Sequence, residues 1–336
     1  MRARLFCFLL LLVATDVVAL KPEVVHSSAA IPPHVAGRFR EPTGFQQSAS
    51  GQYFVFDRRS HAVFGVDEAQ TSSWEIVKIG AEAGRIIEPT AFSVAPDGTF
   101  AVADAPGGAE RIQVFTPVGF PIGGFFLPGR ARSRITIDNF VLNGISTLQY
   151  TGSSILMSQP DAGGLITEYH LRGTAIRTFG SLRPTGHEED REVHLALNSG
   201  LPLVDPTGGY FFVFQAGLPV FRKYDASGQF MFERHIEGIE IDGFIKALPA
   251  RWPRRRTAEG ELPLVRPTVR TAAVDRDGRL WISLAVPYTY VYAPDGDKIR
   301  TIQFRGTGTL TPGSLSFGTK GQLLAAPGLF EFQVGP

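Results

Sequence analysis

The chain has almost no cysteine. Its single cysteine, Cys7, lies within a short apolar run, residues 5–14, near the start of 336 residues. Two arginines precede this run and small residues follow it up to Ala19, a pattern typical of a Sec-type signal peptide. We therefore expect cleavage near Ala19, a secreted or periplasmic location, and a mature chain without disulfides.

Long apolar runs and an excess of charge are also absent. After residue 19 no stretch approaches the roughly 18 to 20 apolar residues that a transmembrane helix needs, so we expect no transmembrane anchor. Lysine is scarce, with 6 residues against 27 arginines, yet the net charge is only +1. This balance gives no indication of a nucleic-acid partner, and we expect a monomer with a large core.

Residues 89–126 form the clearest of several internal repeats. Phe92-Ser-Val alternates as a strand, Asp97-Gly98 supplies the positive φ of a tight hairpin, and Phe100-Ala-Val-Ala returns as a second strand. Arg111-Ile-Gln-Val-Phe predicts a third strand, and a glycine-containing turn leads to a fourth. Four antiparallel strands of this length make one β-propeller blade.

Five weaker copies of this unit are recognisable along the chain. They cover residues 42–66, 143–179, 201–236, 268–304 and 314–334, and the predicted hairpin glycines of the six copies are Gly51, Gly98, Gly152, Gly208, Gly278 and Gly321. Two insertions, residues 130–139 and 236–266, are expected to form loops. The sequence therefore predicts an all-β, six-bladed propeller with four-stranded antiparallel blades over residues 41–336.

The last copy has only three strands before the chain ends. Residues 20–40 contain no copy of their own but include Val24-Val25 and Val35-Ala-Gly-Arg-Phe39. We predict that this N-terminal segment supplies the outer strand of the sixth blade and closes the ring, because closure removes exposed strand edges.

The repeat resembles the NHL repeat at four places: Pro89, Asp97-Gly98, Val102-Ala-Asp104 and Arg111-Ile-Gln-Val-Phe. The resemblance implies a six-bladed propeller of the NHL type, and together with the signal-peptide pattern and the arginine usage it indicates an exported bacterial member. Residues 89–126 match it best, and the other copies are more degenerate.

The sequence lacks several common catalytic motifs. There is no phosphate-binding loop, no Gly-x-Ser-x-Gly elbow and no His-Glu-x-x-His zinc motif. The seven histidines occupy different positions from copy to copy, whereas a metal on the propeller axis needs equivalent ones. The densest group of ligand-type residues, His187 to His194, suits either a divalent cation or a solvated connection. We expect Asp104 and Arg111 to pair with each other, and we predict no catalytic residue and no cofactor.

Two enzyme families share the expected architecture. Peptidylamidoglycolate lyases need histidines that the predicted inner strands lack. Gluconolactonase-like enzymes hold a divalent cation, and Asn143-Gly-Ile is similar to their asparagine motif, with Glu41 before the first blade. No aspartate partner is evident. A metal-dependent hydrolase or lyase of this type, with its divalent cation, is therefore the alternative hypothesis.

The preferred hypothesis is a non-catalytic binding or scaffold propeller that engages a protein, peptide or glycan of the cell envelope through its loop face. Residues that open inner strands or follow second strands are the binding candidates: Arg58, Asn143, Gln159, Arg270 and Tyr288. The longer insertion adds a basic segment suited to anionic groups, with Arg251, Arg254, Arg255 and Arg256 as candidates.

Overall fold

A computed structural model describes residues 22–130, 133–137, 140–143, 147–257 and 260–335. The predicted signal peptide lies outside these residues. No helix within the described ranges is both long enough and apolar enough to cross a membrane.

Two short strands and one helical turn precede the first blade. They are β1 (Glu23–His26), β2 (Ala29–Ala30) and α1 (Pro33–Ala36). Blade 1 consists of β3 (Pro42–Gln47), β4 (Tyr53–Asp57), β5 (Ala62–Val66) and β6 (Ser73–Val77). Blade 2 consists of β7 (Ala91–Val94), β8 (Phe100–Asp104), β9 (Ala109–Phe115) and β10 (Pro121–Arg130).

A separate hairpin, β11 (Ser133–Ile137) with β12 (Phe140–Asn143), leads to blade 3. Blade 3 consists of β13 (Leu148–Tyr150), β14 (Ser154–Ser158), β15 (Ile166–His170) and β16 (Ala175–Phe179). Helix α2 (Arg191–Leu197) precedes blade 4, which consists of β17 (Gly200–Val204), β18 (Tyr210–Phe214), β19 (Val220–Tyr224) and β20 (Phe230–His235).

Helix α3 (Ile239–Lys246) and the hairpin β21 (Arg254–Thr257) with β22 (Gly260–Pro263) connect blade 4 to blade 5. Blade 5 consists of β23 (Val269–Val274), β24 (Leu280–Leu284), β25 (Thr289–Tyr292) and β26 (Lys298–Arg305), extended by β27 (Thr309–Leu310). Blade 6 consists of β28 (Ser314–Phe317), β29 (Leu323–Ala326), β30 (Phe330–Phe332) and β2. The predicted six-bladed, all-β propeller is confirmed.

The second strand of each blade is almost completely buried. β4, β8, β14, β24 and β29 are buried over their whole length, and β18 is buried except at Tyr210. The sequences of these strands are mostly continuous apolar runs, because the neighbouring blades cover both faces of each blade. An apolar cluster fills each of the six seams between blades; Phe54 and Phe100, for example, meet between blades 1 and 2.

Hydrogen bonds also join the inner part of every blade to the next. Each involves a side chain or backbone group on or beside an inner strand. The six links are Gln46 Oε1 with Val94 N (2.7 Å), Ser93 Oγ with Tyr150 N (3.0 Å), Thr147 Oγ1 with Gly200 O (2.6 Å), Thr268 N with Gln215 O (2.7 Å), Ser283 Oγ with Pro312 O (2.9 Å) and Ser316 Oγ with Phe45 O (2.7 Å). The blades are therefore fixed to one another around the axis.

The N-terminal segment closes the ring, as predicted, but through other residues than the valines. β2 pairs antiparallel with β30, so that Ala29 lies opposite Glu331. Val24 and Val25 belong to β1, which pairs parallel with β26 of blade 5, and Val35 lies in α1. The segment thus covers the rims of two adjacent blades.

The propeller has two different ends. At the hairpin end lie the turns that join first to second and third to fourth strands. At the connection end lie the turns after second strands and the links between blades. The six predicted hairpin glycines all adopt a positive φ, from +75° at Gly321 to +124° at Gly208, which favours glycine.

Candidate ligand-binding channel

A channel of about 950 Å³ follows the propeller axis and is lined by the first strands of all six blades. It extends from Glu41 and Arg270 at the connection end to Arg276 and Thr319 at the hairpin end. Apolar side chains form much of its wall, among them Phe56, Phe92, Leu148, Leu201 and Phe317. Such a mainly apolar cavity with a few polar groups is typical of a ligand site.

Several polar side chains in the channel wall already have structural partners. Gln46, Ser93, Thr147 and Ser316 take part in the links between blades described above. Gln47 Oε1 accepts a hydrogen bond from the backbone N–H of Thr319 at 3.0 Å. These groups stabilise the ring and have less capacity for a ligand.

Gln215 differs from these side chains. It follows β18 at the seam between blades 4 and 5, lines the channel and is only 3% exposed. Its backbone N–H donates to Ser199 O at 3.2 Å, and its carbonyl accepts from the N–H groups of Thr268 and Val269. The residue is thus held firmly in place.

The carboxamide of Gln215 is poorly satisfied. Its Nε2 donates to the carbonyl of Arg270 over 3.5 Å, and its Oε1 has no hydrogen-bond partner among the residues that the structure describes. A buried acceptor left in this state costs about 1–3 kcal/mol. A ligand that donates a hydrogen bond to Oε1 would recover that energy.

Arginines supply most of the charge in the described channel wall. Arg58, Arg270 and the acidic residue Glu41 lie at the connection end, and Arg276 lies at the hairpin end. The Glu41 carboxylate accepts a hydrogen bond from Arg58 Nη2 at 2.5 Å. The described lining therefore carries a net positive charge, and two of its arginines lie at the connection end, where Gln215 also lies.

A buried carboxylate holds the Glu41–Arg58 pair in place. Asp57 is fully buried at the end of β4. Its Oδ2 accepts from the N–H of Arg40 at 2.5 Å, and its Oδ1 accepts from those of Glu41 and Ser60 at 3.1 and 3.0 Å. Asp57 therefore fixes the two loops that carry the ion pair.

Asp104 has the corresponding role in blade 2. It accepts hydrogen bonds from the N–H of Ile87 and from the Arg111 guanidinium, whose Nε and Nη2 lie 2.9 and 2.6 Å from the carboxylate. The predicted pairing of Asp104 with Arg111 is thus confirmed.

Of the five candidates predicted near inner strands, Arg58 and Arg270 line the channel, whereas Gln159 and Tyr288, whose side chains the structure also describes, do not. Gln159 is buried, and its Oε1 accepts a 2.6 Å hydrogen bond from the hydroxyl of Tyr169. Tyr288 packs, half-buried, against the apolar cluster between blades 4 and 5. Both have structural surroundings that the repeat pattern does not reveal.

The predicted position of Asn143 at the start of blade 3 is wrong. The inner strand of that blade, β13, begins at Leu148, and Asn143 is the last residue of β12 in the preceding hairpin. The hairpin adds strand-like sequence before the blade, which shifted the predicted boundary. The side chain of Asn143 lies outside the described part of the structure.

The basic segment of the longer insertion is divided between two environments. Arg254 donates to Asp190 at 2.6 and 2.7 Å and to Glu192 at 2.9 Å, so it fastens β21 to α2. Trp252 packs against the apolar cluster of α2. Arg251, Arg255 and Arg256 are exposed, and their role in binding anionic groups stays a prediction.

The acidic residues around α2 face structural partners. Burial raises the pKa of Asp190, but the hydrogen bonds from Arg254 and from the N–H of Val193 outweigh it, so the pKa lies below its usual value. Glu188 accepts from the N–H groups of Thr185 and Gly186. In the described ranges no three His, Cys, Asp or Glu side chains are grouped to hold a metal ion.

A partly buried arginine anchors the link between blades 3 and 4. Arg183 donates to the carbonyls of Leu197, Ala216 and Leu218 at 2.7–3.0 Å and lies over the ring of Phe214. Burial, followed by repulsion from Arg222, lowers its pKa to about 10. It attaches α2 to blade 4.

Three of the links at the connection end carry extra structure. They contain the β11–β12 hairpin, α2, and α3 with the β21–β22 hairpin. β11 contacts α2, and α2 contacts β22. The β11–β12 hairpin, α2 and the β21–β22 hairpin thus form one continuous array at the connection end.

No protein-family model and no curated protein sequence matches the chain. Solved structures with some similarity include a protein of unknown function from Bacteroides caccae, which has 13% identity over 78% of this chain and 81% of that chain, with a TM-score of 0.47. A streptogramin B lyase structure has 14% identity over 87% and 92%, with a TM-score of 0.47. The WD40 propeller domain of Doa1 has 7% identity over 88% and 94%, with a TM-score of 0.48. The blade count above rests on the chain's own strand pairing.

Proposed function

We propose that the protein is a non-catalytic binding propeller that takes a segment of a protein, peptide or glycan into the connection end of its channel. The observation that carries this proposal is Gln215, a buried acceptor without a partner among the described residues, in the channel wall beside Arg270. Loops on a rigid scaffold commonly carry binding residues, and the extra structure lies at the same end.

We further propose that the chain is exported and that its repeats are of the NHL type. The N-terminal pattern up to Ala19 supports export, and the residues 89–126 support the repeat type. An envelope partner follows from export, since the mature protein would meet its ligand outside the cytoplasm.

The alternative, a metal-dependent hydrolase or lyase, has less support. Its glutamate candidate, Glu41, is engaged by Arg58 at 2.5 Å, and its asparagine candidate, Asn143, belongs to the β11–β12 hairpin rather than to an inner strand. We therefore retain the binding role as the proposed function.

Two tryptophan substitutions test which end of the channel binds. Gly313 lines the connection end, and a Cβ there would meet its nearest atom, Ala326 O, at 3.9 Å, so Gly313→Trp narrows this mouth without backbone strain. Ala49 is exposed and lines the hairpin end, so Ala49→Trp is the matched control.

The purified protein and both variants are applied to a peptide array and a glycan array. We expect the wild type and Ala49→Trp to bind the same probes and Gly313→Trp to lose them. Loss in Ala49→Trp alone, equal binding by all three proteins, or no binding by the wild type would contradict the proposal. Thermal melting checks that both variants are folded.

A further inference from the structure

We propose that the channel recognises the C-terminal end of a peptide: a carboxylate with an amide N–H beside it and an apolar side chain. This inference rests on the proposed function and names its ligand class. Gln215 and Arg270 are the recognition residues, and they lie side by side in the wall where blades 4 and 5 meet.

The orientation of the Gln215 carboxamide identifies one half of the ligand. The Arg270 carbonyl is only an acceptor, so it places the Nε2 of Gln215 on its own side. The Oε1 is left as an acceptor in a residue that lines the channel. An acceptor requires an N–H or O–H donor from the ligand.

The charge of the channel identifies the other half. Arg58 and Arg270 lie at this end, and in the described lining they outnumber Glu41, which pairs with Arg58. A guanidinium has five donors, so it can bind a carboxylate while other donors are engaged. The ligand therefore carries a negative charge close to its hydrogen-bond donor.

The channel wall favours a peptide over a sugar acid. A sugar acid presents several hydroxyl groups, yet Gln46, Ser93 and Ser316 are already used between blades. The remaining wall contains Phe56 and Phe92, which suit an apolar body. An N-acylated apolar amino acid has one donor, one carboxylate and an apolar side chain, and it matches all three features.

Calorimetric titration of the purified protein with N-acetyl-L-phenylalanine tests this inference. N-acetyl-L-phenylalaninamide lacks the carboxylate, and 3-phenylpropionate lacks the N–H. We expect each to bind at least about tenfold more weakly, as the loss of one good hydrogen bond or ion pair predicts. Glucuronate represents the sugar acids, and we expect it to bind weakest.

Gln215→Leu removes the acceptor and keeps an apolar side chain of similar size. We expect about tenfold weaker binding of N-acetyl-L-phenylalanine, as loss of one hydrogen bond predicts, with unchanged binding of 3-phenylpropionate, which also shows that the site is intact. Gln149→Leu changes another channel glutamine and serves as the matched control, with no expected effect.

Equal binding of N-acetyl-L-phenylalanine and its amide, tighter binding of glucuronate, or no effect of Gln215→Leu would overturn the inference. If none of the four compounds binds but array probes still depend on Gly313, the ligand class is wrong and the binding role stands. If array binding is also independent of Gly313, the proposed function itself fails.

Discussion

The two ends of the propeller use polar side chains in different ways. At the hairpin end, turn aspartates bind their own backbone: Asp97 Oδ1 accepts from Thr99 N at 3.0 Å, and Asp205 Oδ1 accepts from Thr207 N at 2.8 Å. Asp275 does the same with Asp277 N at 3.0 Å. These carboxylates stabilise tight turns of similar form in three blades.

At the connection end the links between blades vary in length and structure. Gln215 keeps a buried acceptor without a described partner, and the links from blade 2 to blade 5 contain helices and hairpins. The difference teaches that one end of the propeller has regular turns, whereas the other, whose links vary, has room for recognition. The following experiments test that division.

The largest effect is expected from deletion of residues 20–40. This removes β2 from the rim of blade 6 and β1 from the rim of blade 5, which exposes strand edges and opens the ring. We expect an insoluble or strongly destabilised protein, measured by soluble yield and thermal melting. A soluble truncated protein with unchanged melting would show that closure does not depend on this segment.

Two glycines, one at each end, allow a closer comparison of how much space surrounds the backbone. Gly209 at the hairpin end and Gly163 at the connection end both have a φ of +88°. A Cβ at Gly209 would lie 2.2 Å from the backbone oxygen of Tyr224, whereas nothing lies within 4 Å of a Cβ at Gly163. Gly209 therefore tolerates an added Cβ less than Gly163 does.

We expect Gly163→Ala to lower the free energy of unfolding by about 1–2 kcal/mol, the cost of the left-handed conformation. Gly209→Ala should cost more than about 3 kcal/mol, because the backbone must also move. Urea denaturation measures both. Equal losses would mean that the close approach of the Tyr224 oxygen to Gly209 does not limit substitution there.

A smaller effect is expected from the ionisation of Tyr53 in the closing seam. Its hydroxyl donates to Glu331 Oε1 at 2.8 Å. Burial, followed by this hydrogen bond, raises the pKa of Tyr53 from 10.0 to about 12. Because the folded state disfavours the phenolate, the stabilisation is present below pH 10 and is lost as the pH rises to 12.

The measurement is the free energy of unfolding of the wild type minus that of Tyr53→Phe. Because the other tyrosines ionise alike in both proteins, this difference isolates the contribution of Tyr53 to the pH dependence of stability. We expect it to decline between pH 10 and pH 12, and a constant difference would contradict a role for the Tyr53 proton.

Much of the fold was predictable because its signals are local. Asp97-Gly98 marks a hairpin, and the run Phe100 to Asp104 marks a buried strand. The closing strand was harder, since Ala29–Ala30 has no strand pattern and is positioned by its pairing with β30. Val24 and Val25 have a strong strand pattern, but they pair with blade 5.

The site was only partly predictable. The repeat pattern identifies Arg58, because this residue follows a second strand. Gln215 occupies the same position after β18 but is not among the predicted residues. Gln159 shares that position too, yet the hydroxyl of Tyr169 occupies its Oε1. The repeat pattern identifies the position, whereas the partners of each side chain depend on neighbouring strands.

Hydrogen exchange with and without N-acetyl-L-phenylalanine tests the division between the two ends most directly. We predict slower exchange at the connection end, at amides such as those of Gly200, Thr268 and Val269 beside Gln215, and no change in the hairpin turns around Gly98 and Gly278. Slower exchange confined to those hairpin turns, or spread evenly over both ends, would contradict the assignment of recognition to the connection end.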